Sequence, residues 1–252
     1  MNIKPYAPKP VKIRFSPVFP KQSILEFQNR VKTMTHKYVA YCDFESYLRD
    51  LEFDPANPTF SYQHHKPMSY AYTVVSPDPH ISTDVPVIYR GPDPHIHLVD
   101  AMIDLVHRIS MRYQIGQKIR ISEEDGIAFA KTTRCQLCEE EFTEDNPKCR
   151  DHDHQYITPN RSNYRMALCS KCNREYRHPK SLICVFHNLS KYDLHFIVKA
   201  LNGRKNNIEI IPSTEETYIS LTLHTGNNFK IRFIDSYRFL AGSLDNLVRK
   251  LP

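Results

Sequence analysis

Two pairs of cysteines, each with two residues between them, constrain the middle of this chain most strongly. They are Cys135 with Cys138 and Cys169 with Cys172. Four thiolates in this arrangement are typical of a tetrahedral Zn²⁺ site. The surrounding residues 126–180 have weak apolar periodicity, so a metal ion would organise a segment too small for a core of its own. The pattern predicts a small zinc-binding unit inserted into a larger domain.

Length and composition restrict the class of protein only loosely. The 252 residues allow one large domain with an insertion, and a net charge of +6 suits an acidic partner such as nucleic acid. The seven cysteines, odd in number, favour a reducing compartment inside a cell over a secreted disulfide scaffold. No apolar stretch is long enough for a membrane span, and no signal peptide opens the chain. Residues 1–37, basic and proline-rich, are predicted to be a linker, with an arm that follows phosphates as the alternative.

Apolar patterns on both sides of the insertion predict a layered α/β fold with a mixed sheet. The larger domain would comprise residues 38–125 and 181–252. Its expected strands are 38–42, 69–75, 85–89, 182–186, 218–224 and 229–235, the last two as a hairpin. Its expected helices span about 96–113, follow a cap at Asn188 or Ser190, and begin at Ser243. Histidines among prolines are expected in surface loops, namely His64, His65, His80, His95 and His97.

Two acidic residues end the first predicted strand. Asp43 and Glu45 are two apart, so they project from the same face of a sheet and repel each other unless a cation lies between them. Their hard oxygen ligands suit Mg²⁺ or Mn²⁺, and two such ions can hydrolyse a phosphodiester. Asp193 follows the buried strand and is predicted to face the same cleft, because ligands gather where strands end. In the alternative, the pair is a solvated strand end, Asn188 is a cap, and Asp193 complements a helix dipole.

Three ordered segments carry a resemblance. Residues 42–46 resemble the first exonuclease motif of family B DNA polymerases. Residues 186–197 resemble the second, in the His-Asn-Leu form of the protein-primed branch found in phages, linear plasmids and large self-synthesising DNA transposons. Residues 233–240, followed by Ser243 and Leu244, resemble the next element of that branch. The resemblance implies an RNase-H-like 3′–5′ exonuclease fold that binds primer-template DNA, with a terminal primer protein as a further partner.

The resemblance also implies roles for individual residues. It makes three carboxylates catalytic and ligands of Mg²⁺ or Mn²⁺: Asp43, Glu45 and Asp193. It assigns contacts with the single-stranded 3′ end of DNA to Ser46, Asn188 and Tyr192. The family's third motif, a tyrosine followed four residues later by an aspartate, has no counterpart after Asp235, and the polymerase palm has none in these 252 residues. We therefore expect no DNA synthesis, and little or no exonuclease activity, from this stretch alone.

The insertion resembles the HNH nucleases of the recombination endonuclease VII type, which hold one divalent ion in a ββα unit. The resemblance lies in the order Cys-x-x-Cys, Asp-His-x-His at 151–154, and Cys-x-x-Cys-Asn at 169–173. It implies Asp151 and Asn173 as Mg²⁺ ligands and His152 as catalytic general base. It assigns phosphate contacts to Arg161, Arg165 and Arg174, while Met166 stands where the nuclease usually has glycine. The insertion would then either nick DNA or serve as a structural zinc knuckle in a non-catalytic DNA-binding remnant.

Overall fold

A computed structural model describes most of the chain. The described residues are 13–14, 24–25, 36–50, 63–114, 118–154, 161–176, 178–204, 207–214, 217–226 and 228–250. The predicted linker 1–37 therefore lies almost entirely outside the described residues.

The described elements follow in this order along the chain. The first part contains β1 (Ile13–Arg14), β2 (Ile24–Leu25), β3 (Val39–Asp50), β4 (Gln63–Val75), β5 (Val87–Arg90), α1 (Pro94–Gln114) and α2 (Glu123–Lys131). The middle contains β6 (Lys148–His152), β7 (Tyr164–Cys169) and α3 (Ser170–Glu175). The last part contains β8 (Ser181–Phe186), α4 (Leu194–Leu201), β9 (Ile208–Pro212), β10 (Tyr218–His224), β11 (Lys230–Asp235) and α5 (Leu244–Val248).

Seven of the described strands form one mixed sheet in the order β5-β4-β3-β8-β11-β10-β9. The central strands β3, β8 and β11 are parallel, and antiparallel strands extend the sheet on both sides. The predicted hairpin is confirmed as β10 and β11. The predicted fold class, an RNase-H-like α/β fold with a mixed sheet flanked by helices and interrupted by a ββα-like zinc insertion, is confirmed.

Helices α1 and α4 cover one face of this sheet and bury its core. Apolar residues at helical spacing on α1, including Leu98, Met102, Leu105 and Ile109, are completely buried there. Phe44 of β3 stacks on Phe186 of β8 with ring centroids 5.9 Å apart and meets Phe196 of α4 edge-on at 5.7 Å. These rings fix β3 against β8 and α4, which sets the position of the neighbouring Asp43.

The segment after β8 differs from its prediction. Neither Asn188 nor Ser190 caps α4, because a short 3-10 turn over Leu189–Lys191 comes first and the α-helix begins at Leu194. Asn188 has a left-handed backbone with φ of 69° and makes no side-chain capping hydrogen bond, although it directly precedes the 3-10 turn. Ser243, by contrast, accepts a hydrogen bond from the Asn246 N–H at 3.3 Å and caps α5 as predicted.

Four described elements have no counterpart among the expected ones, namely the short paired strands β1 and β2, helix α2 and strand β9. Helix α2 buries none of its residues, so it lacks the apolar stripe that reveals a helix in a sequence. Strand β9 lies at the sheet edge and is mostly exposed, so its apolar run does not mark burial. Strands β3 and β4 are also longer than the predicted strands 38–42 and 69–75, since they pair from Val39 to Asp50 across a shift in register after Glu45.

The insertion consists of the β6–β7 hairpin followed by α3, with α2 packed beside β7. Lys148 of β6 donates to the carbonyl oxygens of Phe129 and Thr132 at the end of α2, the latter at 2.6 Å. A cation at this end complements the helix dipole. A second, separate core lies here and contains Cys135, Leu137, Leu168, Cys169 and Cys172.

Candidate functional site

The parallel register of the central strands brings polar residues to one edge of the sheet. Tyr41 of β3 pairs with Val185 of β8, and Phe186 of β8 pairs with Asp235 at the end of β11. Asp43 and His187 come two residues after Tyr41 and Val185 respectively, so they lie next to each other where β8 has ended and β3 continues. Ligand sites of open α/β sheets form at this position.

Three carboxylates, Asp43, Glu45 and Asp193, lie close enough at this edge for their charges to interact, and we call this place the carboxylate cleft. Asp43 and Glu45 lie on the open face of β3, while Asp193 is buried before α4. Burial, followed by the charge of Asp43, raises the pKa of Asp193 to about 7. Burial and the charge of Glu45 raise the pKa of Asp43 as well. Mutual repulsion of this kind marks a site that lacks compensating positive charge.

A cation would balance the charge of the cleft, but its three carboxylates do not converge as closely as metal ligands do. Among the described residues, the group of three or more ligand atoms close enough to hold an ion is the four cysteines of the insertion. The Oδ1 atom of Asp193 is buried and has no hydrogen-bond partner among the described residues. A buried carboxylate oxygen without a partner is costly, and a cation would satisfy it. The Oδ1 atom of Asp43 accepts the Phe44 N–H at 3.1 Å, which orients that carboxylate. The assignment of Mg²⁺ or Mn²⁺ to Asp43, Glu45 and Asp193 stays a prediction from the sequence.

Asp235 holds the turn that leads from β8 into the cleft. Its carboxylate accepts the backbone N–H groups of Asn188, Ser190 and Tyr237, each at 2.9 Å. Burial raises the pKa of Asp235, but these hydrogen bonds outweigh burial and leave the pKa below its ordinary value. His187 adds contacts at 3.0 Å from Nδ1 to the Ser236 hydroxyl and 2.7 Å from Nε2 to the Gly242 carbonyl. Asn188 is thereby held at the cleft in its left-handed conformation.

A chain of hydroxyl and imidazole groups lies beside the carboxylates on the helix-facing side. The Tyr192 hydroxyl is hydrogen-bonded to the Ser46 hydroxyl, and it lies 2.6 Å from Nδ1 of His65. The Tyr192 and His65 rings meet edge-on at 5.2 Å. Two of the three residues predicted to contact the single-stranded 3′ end are therefore directly joined to each other.

An open cavity of about 350 Å³ lies on the other side of Asp43. It is lined mostly by apolar and aromatic groups, including Tyr41, Tyr72, Phe186 and Leu244, together with His187. Flat apolar walls beside carboxylates suit a nucleobase whose phosphate lies at the acids.

The four predicted zinc ligands come together in the insertion. The Sγ atoms of Cys135, Cys138, Cys169 and Cys172 all lie within 4.8 Å of one another, and those of Cys138 and Cys169 are 3.9 Å apart. Tetrahedral Zn²⁺ with bonds of about 2.3 Å places its sulfur ligands about 3.8 Å apart. Burial raises the pKa of Cys135, but backbone N–H groups of Cys138 and Cys169 outweigh it and lower the pKa to about 7. The cluster therefore fits Zn²⁺.

Most of the residues implied by the nuclease resemblance line a cavity of about 490 Å³, which we call the insertion pocket. Asp151, His152, Arg165, Asn173 and Arg174 all line it. Arg161 is exposed and lies outside this lining. Met166 pairs with Asp151 across the hairpin and packs against the cysteine core.

Arg165 does not project into the pocket as a free phosphate ligand. Its Nε and Nη2 atoms donate to the two oxygens of Asp151 at 2.6 and 2.7 Å. Asp151 is only 3% exposed, so this is a buried, two-pronged ion pair. Both oxygens proposed for a metal ion are thus engaged by a guanidinium.

The structure also corrects the expectation about histidines. His64 and His65 lie within β4, and His95 and His97 lie within α1, so none of these four is in a loop. His97 stacks on Tyr89 at 3.9 Å between ring centroids. The proline near His64 and His65 does not mark a loop, because Pro67 lies inside β4 opposite Ser46, where the register shifts.

No helix in the described part of the chain is long and apolar enough to cross a membrane.

Two protein families match parts of this chain. Residues 173–250 match the family described as DNA polymerase type B, organellar and viral. Residues 106–192 match the family described as Recombination endonuclease VII. No curated protein and no solved structure matches the chain. The family B polymerase resemblance of the main domain and the endonuclease VII resemblance of the insertion are thus confirmed over these two stretches.

Proposed function

We propose that this chain is the 3′–5′ exonuclease portion of a protein-primed family B DNA polymerase of a virus or transposon, and that its carboxylate cleft holds the 3′ end of single-stranded DNA. The observation that carries the proposal is the buried, unpartnered Oδ1 of Asp193 beside Asp43 and Glu45. The polymerase family match over residues 173–250 supports it, because Asp193 lies within the matched stretch.

Different side chains around the cleft would bind different parts of the DNA end. Asn188, held at the cleft edge by Asp235, and the joined hydroxyls of Ser46 and Tyr192 would contact the terminal nucleotides. The apolar cavity beside Asp43 would take a base. Divalent ions held by the carboxylates would activate a water molecule and stabilise the leaving oxygen of the phosphodiester.

Metal binding by the cleft is the direct test. We expect the 252-residue chain to bind Mn²⁺, and Asp43→Asn or Asp193→Asn to weaken that binding by at least about 100-fold, more than the loss typical of outer-shell changes. Paramagnetic resonance of free Mn²⁺ measures this. Asp104→Asn removes a carboxylate from the exposed face of α1 and should bind Mn²⁺ like the wild type. Equal Mn²⁺ affinity in all four proteins would refute the metal site.

DNA binding tests the other half of the proposal. In Mn²⁺, an oligonucleotide with a free single-stranded 3′ end should bind more tightly than one whose 3′ end is in a duplex. We expect Tyr192→Ala to reduce that preference by about tenfold, because it removes one hydroxyl of the joined pair and leaves the Ser46 hydroxyl without that partner, and an unsatisfied polar group costs about 1–3 kcal/mol. Loss of binding to both oligonucleotides equally would argue against a 3′-end site.

Cleavage by the insertion is the alternative function. The endonuclease VII match over residues 106–192 favours an ancestry of this kind. Cleavage of plasmid DNA that persists in Asp43→Ala and disappears in His152→Ala would favour it over the carboxylate cleft. The engagement of both Asp151 oxygens by Arg165 argues against it.

A further inference from the structure

The insertion pocket contains a positively charged side chain, that of Arg165, where a nuclease of this type would hold a metal ion. The Arg165 guanidinium lies against Asp151 in a two-pronged pair, with donor–acceptor distances of 2.6 and 2.7 Å. Arg165 also donates to the Tyr176 carbonyl at 3.5 Å, and its guanidinium lies 5.1 Å from the Tyr176 ring centroid. Asp151 and Tyr176 thus hold the Arg165 side chain in place, and the side chains of Arg165 and Asp151 are at most 18% exposed.

This geometry does not fit the divalent ion that the nuclease resemblance implies. An ion bound to Asp151 would need a carboxylate oxygen that Arg165 now occupies. Its two positive charges would also lie beside the guanidinium in a buried position, where like charges repel strongly. Displacing Arg165 would leave a buried guanidinium without its partner, which is a costly arrangement.

The rest of the pocket lining is basic. Four cationic side chains, Arg150, Arg165, Arg174 and Lys180, face two carboxylates, Asp151 and Asp153. Each of those carboxylates is already in an ion pair, Asp151 with Arg165 and Asp153 with Lys37. The three histidines of the lining, His152, His154 and His178, add groups that donate hydrogen bonds. The pocket therefore has an excess of positive charge and donors without any bound metal.

We propose that Arg165 takes the place of the divalent cation in the insertion pocket, and that the pocket binds the phosphodiester backbone of a nucleic acid without a metal ion and without cleaving it. Guanidinium and ammonium groups match phosphate oxygens in charge and geometry. The pocket lies between the insertion and the main sheet, since Tyr113 of α1 and Lys180 before β8 also line it. A bound strand would therefore contact both parts of the chain. The proposal does not depend on the function of the carboxylate cleft.

Binding without divalent metal tests the phosphate site. Asp43→Asn, which disables the cleft, is the background, and fluorescent oligonucleotides, single-stranded and duplex, are the probes in magnesium-free buffer. We expect salt-sensitive binding, weakened about five- to tenfold by Arg174→Ala or Lys180→Ala, with a salt slope lower by roughly one unit. The control Arg134→Ala removes the same charge from an exposed ion pair with Glu141, outside the pocket.

The two probes distinguish a single strand from a duplex, and either fits the proposal. Equal weakening by Arg134→Ala, or binding that polyglutamate displaces as well as DNA does, would overturn it.

Metal binding tests the role of Arg165. In the Asp43→Asn/Asp193→Asn background, a further Asp151→Asn change should leave Mn²⁺ binding unchanged, because Asp151 holds no metal while Arg165 is present. Arg165→Gln should create a Mn²⁺ site that Asp151→Asn then removes, with zinc content reporting that the insertion remains folded. Two results would overturn the proposal. One is Mn²⁺ binding in this background that Asp151→Asn removes while Arg165 is still present. The other is Mg²⁺-dependent nicking of DNA by the wild type that His152→Ala abolishes.

Discussion

Replacing Cys169 by serine should abolish zinc binding and unfold the insertion while the seven-stranded sheet remains folded. Cys169 supplies one of four clustered sulfur atoms and also belongs to the small core of the insertion. That core contains few buried residues, three of which are themselves zinc ligands. Structural zinc contributes about 10–16 kcal/mol in small domains of this kind, so the insertion has little to hold it together without the ion.

Zinc content by native mass spectrometry and amide hydrogen exchange measure this result. The wild type should carry one zinc ion and Cys169→Ser none, and amides of β6 and β7 should exchange at the rate of unfolded chain. Cys149→Ser is the matched control, since Cys149 lies on β6 outside the cluster and its Sγ contacts only the Pro147 carbonyl at 3.6 Å among the described residues. Zinc retained by Cys169→Ser, with β6 and β7 still protected, would contradict a four-cysteine site.

Unfolding should stop at the border of the insertion because the two cores are separate. The described core of the main sheet includes Phe44, Leu105 and Phe233 and shares no residue with the cysteine core. One link between the parts is the ion pair of Lys37 with Asp153. Amides of β3 and β8 should therefore keep their protection in Cys169→Ser.

Local patterns were sufficient for the features that depend on neighbours in sequence. The two-residue period of a strand places Asp43 and Glu45 on one face, and the paired Cys-x-x-Cys motifs predict the cluster of sulfur atoms. The placement of Asp193 near them is predicted from the rule that ligand sites form where parallel strands end, and its role in a site with them stays a prediction. Each of these predictions rests on a residue spacing or an order of strands and helices that can be read directly from the sequence.

The features that the sequence did not reveal depend on contacts between distant segments. Asp235 anchors the Asn188 turn only because β11 pairs in parallel with β8, so that its carboxylate meets N–H groups 45 and 47 residues earlier. The pair between Arg165 and Asp151 arises from the register of β6 and β7. His65 reaches Tyr192 because β4 continues past Pro67. No local pattern encodes such registers.

Replacing Asp235 by alanine should lower the free energy of unfolding of the main domain by about 3–5 kcal/mol. One buried and two partly buried N–H groups lose their acceptor, at about 1–3 kcal/mol each, and water replaces it in part. Urea unfolding followed by circular dichroism measures the change. Asp245→Ala should alter stability by less than about 0.5 kcal/mol, since that carboxylate is exposed and pairs only with Arg249 among its described contacts. A loss as small as that of Asp245→Ala would refute the anchoring role of Asp235.

The dependence of this effect on pH follows from the direction of the Asp235 pKa shift. The pKa of Asp235 is lowered in the folded state, so the charged carboxylate stabilises the fold above the ordinary value of about 4, and this contribution is lost as the pH falls through the folded pKa. Asp235→Asn keeps the size of the side chain and one carbonyl acceptor but has no charge to lose. The gap in unfolding free energy between wild type and Asp235→Asn should therefore stay constant from neutral pH to about 4 and narrow below it. A gap that is unchanged or wider in acid would show that the charge on Asp235 does not hold the turn.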